Sequence, residues 1–232
     1  MAHRFAGARL LPSVIFVMFA ILPMRPDASI AQGAAPGVTP NPPRYEVTGF
    51  RDARFGMDEQ DVREAARKSF GTKDDDMTLR ANAVDGTTTL IAHVRMLEPG
   101  LGEGRVEYVF GYKSHLLIQV NVIWGLDTNP PRSNGGMIAG SGRLQRYFLG
   151  FAWASKSVRA GVPIDESSVL LFGGEDGKNG SVAVVIEGVR YDVGPNRVVR
   201  FYPERLLPPK LTVSYTSDRG ISDMRNVSRG DF

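Results

Sequence analysis

Two hydrophobic periods follow one another along this chain. Between Arg54 and Gly71 the small and apolar positions Val62, Ala65, Ala66, Ser69 and Phe70 recur at the three-and-four spacing of a single helical stripe. The flanks agree with that reading. Asp58 stands where an N-cap carboxylate accepts orphan backbone N–H groups, and Asp61 at the third helical position can reach back to it. Met57 and Val62 are spaced to close a hydrophobic staple across the cap. Acidic residues open the segment, Arg63, Arg67 and Lys68 close it, and Gly71 supplies the left-handed stop, so the charge order complements the helix dipole. An Ala-rich stripe of this kind permits close approach to a sheet.

After Lys73 the period changes to two. Leu79, Ala81 and Ala83 alternate, Asp85-Gly86 is a two-residue turn signal, and Leu90, Ala92, Val94 and Met96 alternate on the return. That turn sets Ala81 opposite Leu90 and Leu79 opposite Ala92, and sends His93 and Arg95 to the other face. Residues 98–105 read as a Gly-rich loop. A second hairpin follows: Val106, Tyr108 and Phe110, a turn at Lys113-Ser114, then Leu116, Ile118, Val120, Val122 and Trp124 as the buried set. Its opposite set, Leu117, Gln119, Asn121 and Ile123, is mixed in polarity, as on an antiparallel sheet with one solvated face. Residues 127–136 carry Pro130-Pro131 and Gly135-Gly136 and break the pattern. A second helix is predicted over Gly142–Phe151, capped by Ser141, with Leu144, Tyr147, Phe148 and Phe151 as its stripe. Strands are expected at Tyr45–Val47, Val169–Phe172, Val182–Ile186, Val198–Tyr202 and Leu211–Tyr215. The fold class is therefore α+β: an antiparallel sheet, or sheets, of hairpins with two short helices packed on one face. Residues 45–218 form the domain, which divides into helix-plus-sheet halves, 45–125 and 137–218. Helix-then-strands occurs twice, without a residue-level repeat.

The N-terminus changes the charge argument. His3, Arg4 and Arg9 precede the thirteen-residue apolar run Leu10–Leu22, and Ser29-Ile30-Ala31 offers small residues where a signal peptidase reads. The run is short of the roughly 20 residues that span a bilayer. Residues 1–31 thus read as a signal peptide cleaved before Gln32, residues 32–44 as a Pro/Gly/Ala tether, and residues 219–232 as a loose polar tail. Cleavage lowers the formal charge from +3 to +1, which removes the main support for a nucleic-acid partner. There is no Cys, hence neither a disulfide nor a lipobox, and no stable membrane anchor is expected after cleavage. The expected location is periplasmic or secreted.

Candidate chemistry is sparse. Asp74, Asp75 and Asp76 present hard oxygen ligands and, with His93, form the one set from which a metal-assisted hydrolase is conceivable. The loop 173–180 is rich in Gly and acids, but reads as a hairpin turn before a calcium loop. Ser114 adjoins His115 without a nucleophile-elbow pattern. Gly135, Gly136, Gly140 and Gly142 precede a helix, yet the Lys-Ser/Thr of a phosphate loop and the acid of a dinucleotide fingerprint are absent. No cofactor is implied.

Phe55-Gly56-Met57, the acidic cap and Val62-Arg63 together resemble the helix start of outer-membrane lipoprotein A and beta-lactamase-inhibitor-protein-like modules. The chain departs from them in lacking a lipobox Cys, in having one helix before the strands and in its longer hairpins. The resemblance implies a small exported unit with a non-catalytic binding role. The reading is an exported interaction module, an envelope accessory protein or inhibitor, whose partner is another envelope protein. Leu117, Gln119, Asn121 and Ile123 are its candidate contact face.

Overall fold

The computed structural model describes residues 41–98, 101–125, 134–217 and 223–224. The expected signal segment, the tether up to residue 40 and all of the tail but Asp223 and Met224 lie outside the described residues. In chain order the elements are β1 (Gly49–Phe50), β2 (Ala53–Arg54), α1 (Glu59–Phe70), a 3-10 turn (Asp74–Asp76), β3 (Met77–Ala81), β4 (Thr88–Glu98), β5 (Gly102–Phe110) and β6 (Leu117–Trp124). Then come α2 (Asn134–Leu149), β7 (Arg159–Pro163), β8 (Val169–Glu175), β9 (Ser181–Val193), a second 3-10 turn (Pro195–Arg197) and β10 (Val199–Thr216).

Strands β3 to β10 form one antiparallel sheet in the order β3-β4-β5-β6-β10-β9-β8-β7. The order is palindromic in kind. Each half is a helix followed by a four-strand meander, and the last strand of each meander, β6 and β10, joins the halves at the sheet's centre. The α+β class holds, with one sheet, and the two helix-plus-sheet halves share it.

The inner face is held by rows of apolar side chains running across the strands. Register aligns Met77, Ala92, Val106, Val122, Val213, Val184 and Phe172 in one such row. All seven are buried. Full burial of a Val-sized side chain contributes roughly 1.5–3 kcal/mol, so rows of this length fix the register against a one-residue slip. Both helices pack on this face. Helix α1 begins as its capping residues require: the Asp61 N–H donates to Asp58 Oδ1 at 2.9 Å, and Gly71 ends it at φ 66° with its N–H on the Arg67 carbonyl. Val62, Ala65 and Ala66 are its buried stripe. From α2, Phe148 stacks on Phe172 with ring centroids 5.4 Å apart and meets Tyr215 edge-on at 6.3 Å.

Several sequence expectations are corrected here. The first hairpin pairs Leu79 with Leu90 and Met77 with Ala92, two residues off the expected register. Its connection runs from Asn82 to Thr87, because Asn82 Oδ1 takes the Val84 N–H and Asp85 Oδ1 takes the Thr87 N–H. A slip of two preserves parity, so the predicted faces survive. Strand β5 starts at Gly102, inside the expected loop. Helix α2 starts at Asn134, eight residues ahead of Gly142, and absorbs Gly135, Gly136 and Gly140. Gly140 is there for packing: a Cβ on it would stand 2.2 Å from Leu101 Cδ2. The helix's buried residues are accordingly Met137, Gly140, Ser141 and Phe148, while Tyr147 is 54% exposed. Strand β7 was not anticipated. The two strands expected at 198–202 and 211–215 are one strand, β10, whose ladder with β9 carries two register shifts. Tyr45–Val47 is not a strand; Arg44 makes an isolated parallel bridge to Ala152 instead.

Candidate functional site

Neither helix covers the outer face of the sheet, and its residues follow from the same register. One row is Ile91, Glu107, Asn121, Ser214, Ala183 and Gly173. Beside it run Thr89, Val109, Gln119, Thr216 and Ser181 on one flank, and His93, Arg105, Ile123, Thr212, Val185 and Leu170 on the other. The surface is small-polar at the centre with aliphatic side chains between. Its polar groups are locked laterally: Gln119 Nε2 donates to Asn121 Oδ1 at 2.8 Å, and Arg105 pairs with Glu107 at 2.8 Å. Lys210 and Glu187 form a further ion pair across β10 and β9. Side chains held in place this way lose less entropy when something docks on them.

Of the four face residues expected from the sequence, Gln119, Asn121 and Ile123 lie on this face. Leu117 does not. The pairing passes from Val109 opposite Gln119 to Phe110 opposite Leu117, so β6 holds one extra residue at this point. This β-bulge reverses the alternation, and Leu117 turns into the core at 1% exposure while Leu116 is left exposed.

At the corner of the sheet next to this face lies a cleft of about 560 Å³. Strand β3 pairs only with Thr88–Ala92, so β4 runs on past it, and the loop after α1 faces β4's uncovered end. Phe70, Gly71, Thr72 and Lys73 line one wall, His93, Val94, Arg95 and Met96 the opposite one, and Gly104, Arg105 and Ile123 the floor toward the sheet. Asp76 and Glu103 complete the charged lining. The Asp76 carboxylate is occupied by the Lys73 backbone N–H at 3.0 Å. Thr72 is 8% exposed, and its Oγ1 is buried with no hydrogen-bond partner among the described residues. Arg51, in a left-handed conformation with φ 54°, braces the wall from behind. Its guanidinium lies 4.8 Å from the Phe70 ring centroid and donates to the carbonyls of Leu97 at 2.9 Å and Ser69 at 3.4 Å.

The structure brings Asp76 and His93 to this cleft but does not assemble the four expected metal ligands. Among the described residues no three His, Asp or Glu side chains converge as an ion site. The reason is local: Asp74, Asp75 and Asp76 occupy a single 3-10 turn, where successive side chains point about 120° apart. Asp74 instead lies 3.8 Å from Arg67. Ser114 and His115 sit on the β5–β6 turn, where Asp223 hydrogen-bonds the Ser114 side chain directly, which holds the Asp223 carboxyl below its ordinary range. His115 bonds to neither among the described residues, so no base lies between hydroxyl and carboxylate as a triad requires. In the 173–180 loop, Asp176 is buried and its oxygens accept the N–H groups of Lys178 at 2.6 Å, Gly180 at 3.0 Å and Val47 at 3.0 Å. That carboxylate is a structural clasp between the β8–β9 turn and the N-terminal segment, with three of its four lone-pair sites used. Thr72, Lys73 and Arg105 were not singled out from the sequence. Thr72 and Lys73, the two residues just past the Gly71 helix stop, carry no pattern of their own, and Arg105 falls in the segment that reads as a Gly-rich loop.

No protein family, no characterised protein and no solved structure matches this chain.

Proposed function

We propose that this protein is a non-catalytic binding module of the cell envelope that docks a protein partner on the face of its eight-stranded sheet that neither helix of the described residues covers. The observation that carries this reading is the extent of that face. Eight strands at about 4.8 Å spacing span about 34 Å, and six residues of strand cover about 20 Å, which gives a surface of roughly 680 Å². One side of a standard protein–protein interface buries about 800 Å². The surface is thus of protein size, and larger than a small ligand would need. Its chemistry fits the same occupant: partly exposed Val185 and Leu170 are interleaved with Asn, Gln, Thr and Ser, Ile91, Val109 and Ile123 are buried between their neighbours, and its charges are paired within the sheet.

The test is a binding comparison with a partner captured from an envelope extract. Asn121→Lys and Ser214→Glu place single charges at the centre of the face, and Tyr147→Lys does so on the exposed side of α2. The reading expects both sheet variants to weaken binding at least tenfold, with Tyr147→Lys unchanged. Binding that survives both sheet variants, or that is lost only with Tyr147→Lys, overturns it.

A further inference from the structure

The two edges of the eight-stranded sheet differ in how they are guarded. An edge strand carries unpaired backbone groups, and proteins ordinarily blunt it with Pro, charge, a kink or a covering element. At one edge, β7 is blunted: Gly161 breaks its extended backbone at φ 59°, Pro163 has no N–H, and Arg159 stands exposed at its start. At the other edge, β3 has neither Gly nor Pro and pairs with β4 in unbroken register from Met77 opposite Ala92 to Ala81 opposite Thr88. Thr78, Leu79, Arg80 and Ala81 are all exposed, and no strand among the described residues covers them. We propose that this edge is a self-association surface, on which a second copy of the chain lays its own β3 antiparallel with the two-fold axis at Leu79.

The hairpin turn shows which backbone groups are on offer. The Asn82 N–H donates to the Thr87 carbonyl at 2.8 Å, so Asn82 faces β4. Direction alternates along a strand: Arg80 and Thr78 also face β4, while Met77, Leu79 and Ala81 face the open edge. The Met77 N–H is already taken by the Asp74 carbonyl. What remains is the Leu79 and Ala81 N–H groups and the carbonyls of Met77, Leu79 and Ala81. These select the register. With Leu79 opposite its own copy, each Leu79 N–H meets the other Leu79 carbonyl, and each Ala81 N–H meets the other copy's Met77 carbonyl. An axis at Thr78 relies on the occupied Met77 N–H, and one at Arg80 sets like charges opposite each other. The side chains favour the same register. Leu79, 43% exposed on the helix-packed face, is covered by its counterpart. On the outer face Arg80 lies opposite Thr78, with Asp76 of the other copy as its diagonal neighbour and within reach of a long side chain. Arg80 makes no ion pair among the described residues, and Asp76 keeps its charge while accepting the Lys73 N–H. The charge that guards β3 against other strands thus complements the acidic turn of a second copy, twice over by symmetry.

Association of this kind needs no other protein, so its measurement is separate from that of the docking face. The chain has no Cys, and introduced thiols therefore report the register without background. Thr78→Cys and Arg80→Cys are prepared separately, then oxidised alone and as an equimolar mixture. Thr78 opposite Arg80 is a non-hydrogen-bonded pair, with Cα atoms about 4.5 Å apart and within disulfide reach. The expected result is a disulfide-linked dimer in the mixture, several-fold above either variant alone. Sedimentation equilibrium of the full chain gives a dimer with Kd below about 100 µM, and Leu79→Lys and Arg80→Glu each weaken it at least tenfold. Equal cross-linking in all three samples, a chain that stays monomeric at about 500 µM, or a dimer indifferent to both charge variants overturns the proposal.

Discussion

Asp176 offers a sharp test of how the N-terminal segment is held. Its carboxylate is 3% exposed and accepts three backbone N–H groups: Lys178 and Gly180 within its own turn, and Val47 from a strand-less segment 129 residues away in sequence. In Asp176→Ala the Lys178 amide, at an exposed position, finds water. The amides at the buried positions Gly180 and Val47 do not. Each hydrogen bond to a charged group is worth about 1.5–3 kcal/mol, and each stranded buried donor costs about 1–3 kcal/mol. Two stranded donors therefore predict a loss of about 2–6 kcal/mol, a large share of the 5–15 kcal/mol typical of a folded domain. At about 2–4 °C per kcal/mol for a chain of this size, Tm falls by roughly 4–24 °C. Asp176→Asn separates the contributions. Its amide oxygen can keep the turn's two N–H groups, while its NH₂ meets the Val47 N–H donor to donor, so about half of the loss remains. The assay is urea unfolding followed by tryptophan fluorescence, paired with hydrogen exchange at Val47. An Asp176→Ala protein within about 1 kcal/mol of wild type, or a Val47 amide still protected in it, refutes the clasp.

Further outcomes follow from the same geometry. Leu117→Ala, in the core behind the bulge, costs about 2–5 kcal/mol, whereas Leu116→Ala next to it stays within about 0.5 kcal/mol; equal effects in chemical denaturation sink the bulge assignment. Burial pushes Tyr45 up to about 12 and raises Tyr108 and Tyr215 well above the ordinary phenol range. The unfolded chain loses these protons first, so stability is fully present below pH about 10 and declines as pH rises beyond it. A melting temperature that is flat from pH 9 to about 12 contradicts that burial. The Asp223 carboxyl is depressed by the Ser114 hydroxyl and the Lys113 and Ser114 amides. Its hold on the β5–β6 turn is therefore complete above the ordinary Asp value of about 3.9 and is lost as pH falls through the lower folded value. The amide resonances of Lys113 and Ser114 report it, and shifts that move at neutral pH speak against it.

What was legible in the sequence was periodicity, and what was hidden was every place where periodicity is interrupted. The Asp58 cap, the Val62–Ala65–Ala66 stripe and the Gly71 stop act within one helix, where the residues that interact are near neighbours in sequence. The hairpins were likewise readable because alternation survives a slip of two, as Leu79 opposite Leu90 shows. Gly135, Gly136 and Gly140 hid the first half of α2, since a glycine that lets Leu101 pack closely looks the same in sequence as one that breaks a helix. Strand β7 is five residues containing Gly161 and Pro163 at the sheet's edge, where β-propensity is least needed.

The bulges matter most for function. The extra residue in β6 was invisible because Leu116, Leu117 and Ile118 are all apolar, so either phase of the alternation fits them. It decided which side of the sheet Leu117 belongs to, and hence the composition of the candidate docking face. The irregularity between Val94 and Glu98 decided that Arg95 and Met96 share a cleft when regular alternation would part them. Both faults lie in the first half. In the second half the bulge near Leu171 buries that side chain, and the corner beyond it closes on Ser157. Two halves of one plan have thus been finished differently: the second is closed by the Ser157 hydroxyl, and in the first the Thr72 hydroxyl is buried with no partner among the described residues.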